Sequence, residues 1–168
     1  TELGGKVAEG WVTVRDAGLC GMISLRGDLE NAALRKVCSD VTGVAFPEAL
    51  RANAEGQKGL CWMSPDEMLV LVPYGEVFAA LDKVHAALKG THYQAKNVSD
   101  ARTVMFVEGA GGREVMAKLA PVDLHPESFA IGDFRRSRLG QIAAAFWMPN
   151  ADTFQIVCFR SHAQYMFD

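Results

Sequence analysis

The feature that most constrains the fold is a hairpin-like stretch that occurs twice. Residues Phe146–Val157 predict two strands joined by a polar turn, because Pro, Asn and Asp interrupt a run otherwise rich in β-formers. Residues Cys61–Leu71 have the same order of Trp, Met, Pro, acid and alternating apolar residues, and Trp147 follows Trp62 by 85 residues. A period of about half the 168-residue chain predicts a duplicated α+β unit rather than a short-repeat solenoid.

Local patterns complete two copies of this unit. The first copy has predicted strands over 11–14 and 19–25, a helix over Leu29–Ser39 capped by Asp28, a loop over 40–59 with a brief strand near Val44, the hairpin over 60–72, and a helix over 76–89 capped at Gly90. A bridging strand is predicted over 93–98. The second copy has a strand over 102–108, a helix over 113–119, a proline-bounded connector over 121–126, an extended stretch over 129–139 with a turn at 132–133, the hairpin over 141–147 and 153–159, and a terminal helix capped by Ser161.

These elements predict the fold class and the domain organisation. We expect one α+β domain over 1–168 that is internally duplicated, with antiparallel sheets and packed helices. Its two repeated lobes are predicted at about 11–90 and 91–168.

Composition argues against several classes of function. A formal net charge of −3 and a pI of about 5.8 leave no basic footprint for nucleic acid. No stretch approaches the roughly 18 consecutive apolar residues of a membrane helix. The first residues lack a signal-peptide pattern and the four cysteines form no CxxC pair, so we expect a cytoplasmic protein with reduced thiols.

Two stretches invite a cofactor or catalytic interpretation, and each has a simpler one. Gly109–Gly112 follows a strand and opens a helix, as in dinucleotide sites, but the third glycine of that motif would fall at Glu114, which favours a tight turn. Asp123 could orient His125 as a general base. No nucleophile is marked nearby, so we expect both residues to satisfy backbone groups in the connector.

The densest positive cluster is Arg135, Arg136 and Arg138. Guanidinium groups pair well with carboxylates, so the cluster is either a solvated face or a docking surface for an acidic partner. In a strand, Arg136 and Arg138 would share one face and Arg135 would point to the other.

Trp62 and Trp147 are predicted to anchor the cores of the two lobes, because their symmetric placement favours structure over stacking on flavin or folate. No paired carboxylates, Walker loop, HExxH or GxSxG motif occurs in the chain. The sequence therefore predicts no catalytic, cofactor-binding or metal-binding residues.

Several stretches in one order resemble the gamma subunit of heterotetrameric sarcosine oxidase. The similarity covers about residues 20 to 168 and is carried by Ile23–Asp28, Trp62–Glu67, Pro121–Pro126 with Phe129, Arg136–Gln141, Phe146–Trp147 and Arg160–Tyr165. Residues 1–19 match nothing in that family.

The resemblance implies a non-catalytic structural subunit that assembles with alpha, beta and delta subunits. That complex oxidises sarcosine to glycine, producing hydrogen peroxide together with formaldehyde or methylenetetrahydrofolate. FAD, covalent FMN, NAD and folate would belong to the alpha and beta subunits and zinc to delta, with no cofactor on this chain. The implied fold is that of the folate-binding domain of the glycine-cleavage T-protein, itself a duplicated α+β arrangement.

Two other functions stay open at this stage. The chain could be the matching subunit of an N-methylglutamate dehydrogenase, since the substrate pocket would lie on another chain in either complex. It could also be a free-standing folate-binding module like the T-protein, although it is well short of a complete T-protein and shows no clear acid for pterin recognition.

Overall fold

A computed structural model describes all residues from Thr1 to Asp168. The strands are β1 (Val7–Glu9), β2 (Thr13–Asp16), β3 (Cys20–Gly27), β4 (Ala52–Glu55), β5 (Lys58–Ser64), β6 (Glu67–Pro73), β7 (Tyr93–Asn97), β8 (Arg102–Glu108), β9 (Phe134–Leu139), β10 (Ile142–Asn150) and β11 (Thr153–Phe159). The helices are α1 (Ala32–Thr42), α2 (Val77–Ala87), α3 (Gly112–Leu119) and α4 (Ala163–Phe167), with short 3-10 turns at Tyr74–Glu76, Ser99–Ala101 and Arg160–His162.

These elements form two compact units, each built on one antiparallel sheet. The central unit is Leu19–Asp100, and the terminal unit combines Thr1–Gly18 with Ala101–Asp168. The division differs from the predicted lobes of about 11–90 and 91–168, because β2 pairs with β8 and β7 pairs with β3. The predicted α+β class with antiparallel sheets is confirmed.

The central unit has the strand order β4-β5-β6-β3-β7, with α1 and α2 on one face of the sheet. The predicted apolar stripe of α2 is confirmed, since Val77, Leu81, Val84 and Leu88 are all buried in the core of this unit. The first hairpin, β5 with β6, also lies where the sequence predicts it.

The start of α1 corrects the prediction of a helix over Leu29–Ser39 capped by Asp28. The N-cap is Asn31, whose side-chain oxygen accepts from the backbone N–H groups of Ala33 and Leu34 at 2.9 and 3.2 Å. Asp28 instead accepts from the N–H of Glu30, so it closes the turn before the helix. Two cap-type residues stand three positions apart, and the pattern alone does not choose between them.

Other local predictions are also corrected. No strand forms near Val44; the strand of this region is β4, whose Ala-Asn-Ala-Glu sequence has low β-propensity and which pairs with β5. The cap after α2 is Leu88 rather than Gly90. Ser161 caps no helix, because it lies inside the 3-10 turn that leads into α4.

The terminal unit has the strand order β1-β2-β8-β11-β10-β9. Its core contains three fully buried phenylalanines, with Phe129 at ring-centroid distances of 6.0 Å from both Phe146 and Phe154. Within the predicted extended stretch 129–139 only β9 is a strand, and the turn predicted at 132–133 is confirmed by the positive φ of Gly132.

The first eighteen residues are an integral part of the terminal unit. Leu3 is buried in its core, and β2 adds a strand beside β8. The buried carboxylate of Asp16 accepts hydrogen bonds from the Thr1 hydroxyl and from the backbone N–H groups of Gly5 and Gly18. This segment therefore has a structural role that the sequence analysis left open.

The two units repeat one topology. The order β9-β10-β11-β8-β2 corresponds strand by strand to β4-β5-β6-β3-β7. The 3-10 turns that begin at Tyr74 and Arg160 are 86 residues apart, and so are the helices that begin at Val77 and Ala163. The structural period is therefore one residue longer than the tryptophan spacing.

That one residue places the two tryptophans on opposite faces of their sheets. Trp62 is half-buried and packs against the helix-covered core of the central unit. Trp147 is fully buried but lies between Phe146 and Met148, which both point into the helix-covered core, so its side chain is on the other face. Each tryptophan packs within its own unit, but the two are not equivalent positions, since Trp62 corresponds to Met148 rather than to Trp147.

Candidate partner-binding surface

The arginine cluster lies on β9, at the end of the terminal-unit sheet. Arg136 pairs with Ala145 and Arg138 with Ala143 in the register with β10, so both side chains are on one face, as predicted. Both are exposed. The side chain of Arg138 makes no ion pair or hydrogen bond, and it is therefore available to a carboxylate from outside the chain.

Arg135 has a different role from its two neighbours. Its side chain is on the opposite face, where the guanidinium lies 5.4 Å from the centroid of the Phe129 ring and donates to the carbonyl of Phe134 at 2.8 Å. This cation–π contact covers the edge of the phenylalanine core. Of the three predicted residues, the structure thus presents Arg136 and Arg138 outward and holds Arg135 against the core.

The glycine turn 109–112 is filled by a side chain of the chain itself. The N–H of Gly109 donates to the carbonyl of Asp152 at 2.8 Å. The indole of Trp11 lies so close to Gly111 that a Cβ atom there would be 2.8 Å from the ring. These contacts explain a glycine at 111 by packing and support the tight-turn interpretation over a pyrophosphate site.

Asp123 and His125 do not form the arrangement that a general base requires. The carboxylate of Asp123 accepts from the backbone N–H of His125 at 2.9 Å, so it engages the main chain. The ring Nδ1 of His125 accepts from the N–H of Glu127 at 3.3 Å. The hydrogen bond with the His125 backbone is the largest cause that lowers the pKa of Asp123. Both residues order an exposed turn of the connector, as the simpler interpretation predicts.

Burial keeps three of the four thiols protonated. It raises the pKa of Cys38 to about 12 and that of Cys158 to about 11, and it raises the pKa of Cys61 further still. A buried, protonated thiol is a poor nucleophile and a poor metal ligand. No group of three or more His, Cys, Asp or Glu side chains is arranged to hold a metal ion.

Trp11 is a surface feature that the sequence analysis missed. Its side chain is 60% exposed, with one face on Gly111 and the ammonium of Lys118 5.6 Å from its ring centroid. Tryptophan is enriched among the residues that dominate the binding energy of protein interfaces, so this exposed indole is a candidate contact residue. In the sequence it reads as the first residue of an apolar strand, and no local pattern marks its exposure.

The central unit has a groove of its own between its two long helices. An open groove of about 500 Å³ runs between α1 and α2 and is lined by Ala33, Lys36, Val37, Asp40, Lys83, Ala86 and Ala87. Lys36 and Asp40 in this groove pair with each other, and Lys83 leaves the groove with one net positive charge. Among the four helices, none has the length and apolarity needed to span a membrane.

Comparison with known proteins gives one consistent result. The model of the sarcosine oxidase, gamma subunit family matches residues 26–168. The gamma subunit of sarcosine oxidase from Corynebacterium sp. (strain U-96) is 30% identical over 151 residues, which cover 87% of this chain and 71% of that protein.

Solved structures show the same fold. Heterotetrameric sarcosine oxidase from Corynebacterium sp. U-96, solved with pyrrole 2-carboxylate, contains a chain that superposes with a TM-score of 0.84 at 24% identity, covering 96% of this chain and 83% of that one. The glycine cleavage system aminomethyltransferase T from Bartonella henselae superposes with a TM-score of 0.63 at 13% identity, covering 90% of this chain and 43% of that one.

Proposed function

This chain belongs to the sarcosine oxidase, gamma subunit family, and on that basis we propose that it is the non-catalytic structural subunit of a heterotetrameric, flavin-dependent sarcosine oxidase. The observation that carries the proposal is the match to this family over residues 26–168, most of the chain. A superposition over 96% of the chain supports it, because the whole fold, and not one lobe alone, is shared with a chain of a solved sarcosine oxidase.

A structural rather than catalytic role is supported by how the candidate chemical groups are used. The Asp123 carboxylate holds a backbone N–H, Trp11 fills the glycine turn, and burial keeps the Cys38 thiol protonated. Each of these three candidate sites is thus occupied by contacts that stabilise the fold.

The partners in this proposal are the alpha, beta and delta subunits of the same enzyme. They would carry FAD, FMN, NAD, folate and zinc, while this chain would carry no cofactor, and the assembled complex would be cytoplasmic. The likeness to the aminomethyltransferase T, at 13% identity, shows a shared fold, so we assign no folate site to this chain.

The outward arginines are the residues we propose for contact with a partner. Arg136 and Arg138 project from one face of an edge strand, and Arg135 supports that strand from the core side. Guanidinium groups in this arrangement favour a carboxylate-bearing surface.

Co-expression tests the proposal directly. A tagged chain is expressed with and without the alpha, beta and delta subunits proposed as its partners, and the purified material is analysed by native mass spectrometry and visible absorption. We expect the chain alone to be colourless and the co-expressed chain to purify in a complex with a flavin spectrum. A chain that purifies alone under both conditions would refute the subunit role.

A further inference from the structure

The surface of the terminal unit exposes three large apolar side chains that short contacts connect. Trp11, Leu119 and Tyr165 are 60%, 45% and 60% exposed. The ammonium of Lys118 lies 5.6 Å from the centroid of the Trp11 ring, and Leu119 is the next residue of the chain. The carbonyl of Leu119 accepts from the N–H of Gly140, and a Cβ atom at Gly140 would lie 3.8 Å from the Tyr165 hydroxyl oxygen. We call Trp11, Lys118, Leu119 and Tyr165 the Trp11 patch.

The position in the central unit that corresponds to Trp11 is occupied by His92. The strand β2 pairs with β8 as β7 pairs with β3. A Cβ atom at Gly109, after β8, would lie 3.8 Å from the carbonyl oxygen of Trp11. A Cβ atom at Gly27, at the end of β3, would lie 3.5 Å from the carbonyl oxygen of His92. The backbone contact is therefore repeated, while the side chain is an indole in one unit and an imidazole in the other.

The second aromatic ring of the patch is also absent from the central unit. Tyr165 is the third residue of α4, and the third residue of α2 is Ala79. The same topology therefore forms with a histidine and an alanine where the terminal unit has two exposed aromatic rings. Tryptophan and tyrosine are enriched among the residues that dominate binding at protein interfaces. Since the topology does not require the rings of Trp11 and Tyr165, they indicate a protein-binding surface.

The charge of the patch selects the kind of partner. Lys118 makes no ion pair, although Glu114 lies one helical turn before it. An ammonium that is covered by an apolar surface loses its water, which is unfavourable unless a carboxylate replaces that water. In a symmetric dimer the patch would face itself and bring two such ammoniums into one contact, which is repulsive. The charge therefore favours a different polypeptide that carries an acidic group.

Building on the proposed role as a subunit, we infer that the Trp11 patch is a docking site for a partner subunit. Its occupant is a segment that presents an apolar side chain beside a carboxylate. The apolar side chain packs against the rings of Trp11 and Tyr165, and the carboxylate pairs with Lys118. Gly111 supports the indole of Trp11 in the free chain, so less side-chain freedom is lost on binding.

Hydroxyl-radical footprinting of the assembled enzyme tests the site. The chain alone and the chain co-expressed with the alpha, beta and delta subunits are exposed to radicals, and the oxidation of each residue is measured by peptide mass spectrometry. We expect the reactivity of Trp11 and Tyr165 to fall about fivefold in the complex, because the centre of an interface excludes water. The buried indole of Trp147 gives the baseline for an unreactive tryptophan in both samples.

Variants of the full chain measure the contribution of each group, with dissociation of the complex on dilution followed by native mass spectrometry. Trp11→Ala should weaken assembly about 30-fold, and Tyr165→Ala, which removes no contact of the fold core, about tenfold. Lys118→Glu should weaken assembly about tenfold, whereas Lys118→Arg should retain it. Lys83→Glu reverses the same charge at an exposed position on α2 and is the matched control. A loss for Lys118→Glu no larger than that for Lys83→Glu would overturn the pairing with a carboxylate.

The outcomes separate this inference from the subunit role. If the complex forms and Trp11 and Tyr165 react as they do in the free chain, the docking site is overturned and the subunit role stands. If no complex forms, the subunit role fails and the partner site fails with it. Native mass spectrometry of the chain alone tests the other occupant. A dimer of the chain in which Trp11 is protected would make a second copy the occupant and overturn the assignment to a partner subunit.

Discussion

The terminal and central units repeat one topology, yet they obtain their fifth strand in different ways. In the central unit this strand is β7, which follows α2 along the chain and pairs with β3. In the terminal unit the corresponding strand is β2, which comes from the first residues of the chain and pairs with β8. The central unit is thus continuous in sequence, whereas the terminal unit depends on a segment that precedes the other unit.

Two units with the same strand order can therefore depend on different parts of the chain for their stability. The central unit can complete its sheet from residues 19–100 alone. The terminal unit requires Leu3 in its core and Asp16 as the acceptor that orders the first turn. Changes near the N-terminus should therefore act most strongly on the terminal unit.

Deleting residues 1–18 should have the largest effect and should fall on the terminal unit. The deletion removes β1, β2 and buried Leu3, and truncating such a leucine to alanine alone typically destabilises by about 2–5 kcal/mol. We expect segment-resolved hydrogen exchange to show lost protection across β8–β11. Retained protection in β3, β5 and β6 is the internal control, and equal loss in both units would contradict an effect confined to the terminal unit.

The two tryptophans should differ in their contribution to stability. Trp147→Ala should destabilise by about 3–5 kcal/mol, because the whole indole is buried, while Trp62→Ala should destabilise roughly half as much. Urea unfolding followed by circular dichroism measures both. Equal losses would contradict the assignment of the two side chains to different faces and depths.

Trp147→Phe sharpens the same comparison. The indole N–H of Trp147 is buried without a hydrogen-bond acceptor, so phenylalanine would remove an unsatisfied donor while keeping a ring next to Phe134. We expect a loss below about 1.5 kcal/mol, well under that of the alanine variant. A loss as large as that of Trp147→Ala would show that the N–H is satisfied in solution.

The sequence predicted the element types well, because hydrophobic periodicity is a local signal. The four apolar positions of α2 and the alternation in both hairpins each report one buried face. The duplication itself was also visible. The register between the two copies was not visible, because aligning the two tryptophans gives a period that is one residue too short. A shift of one residue in a strand moves every side chain to the other face of the sheet.

The remaining failures involve contacts between distant residues. The strand β4 has a weak β sequence and forms because it pairs with β5. Nothing near Trp11 in sequence reveals that Gly111, a hundred residues away, is its packing partner. The pair of arginines on one face of β9 was predicted correctly. The packing of Arg135 over Phe129 could not be predicted, because it depends on the tertiary fold.

The starts of α1 and α3 provide a smaller comparison between the units. Asn31→Ala should destabilise the central unit by about 1 kcal/mol, because two N–H groups lose their acceptor. The corresponding helix α3 begins after Gly111 without a side-chain cap. Gly111→Ala should therefore destabilise less, about 0.5 kcal/mol, since exposed Trp11 can move away from the new methyl group. A shift in tryptophan fluorescence would report that movement.

The buried thiols should make alkaline unfolding differ slightly between the units. Burial raises the thiol pKa values above 9.0, so ionisation favours the unfolded chain. The contribution of each buried, protonated thiol to the free energy of unfolding is fully present below pH 9 and declines as pH rises. The slope approaches ~1.4 kcal/mol per pH unit for each thiol until its folded pKa is reached. That limit is about 11 for Cys158 in the terminal unit and about 12 for Cys38 in the central unit.

The central unit also buries Cys61, so it has two such thiols where the terminal unit has one, and its stability should fall more steeply between pH 9 and 10. Urea midpoints for Cys38→Ala and Cys158→Ala across this range measure the slopes, and other titrating groups cancel in the differences from the unaltered chain. Each variant should lose one thiol's share of the slope whatever its stability at neutral pH. An unchanged slope for Cys38→Ala would mean that this thiol ionises in the folded state and that the core around α1 admits solvent.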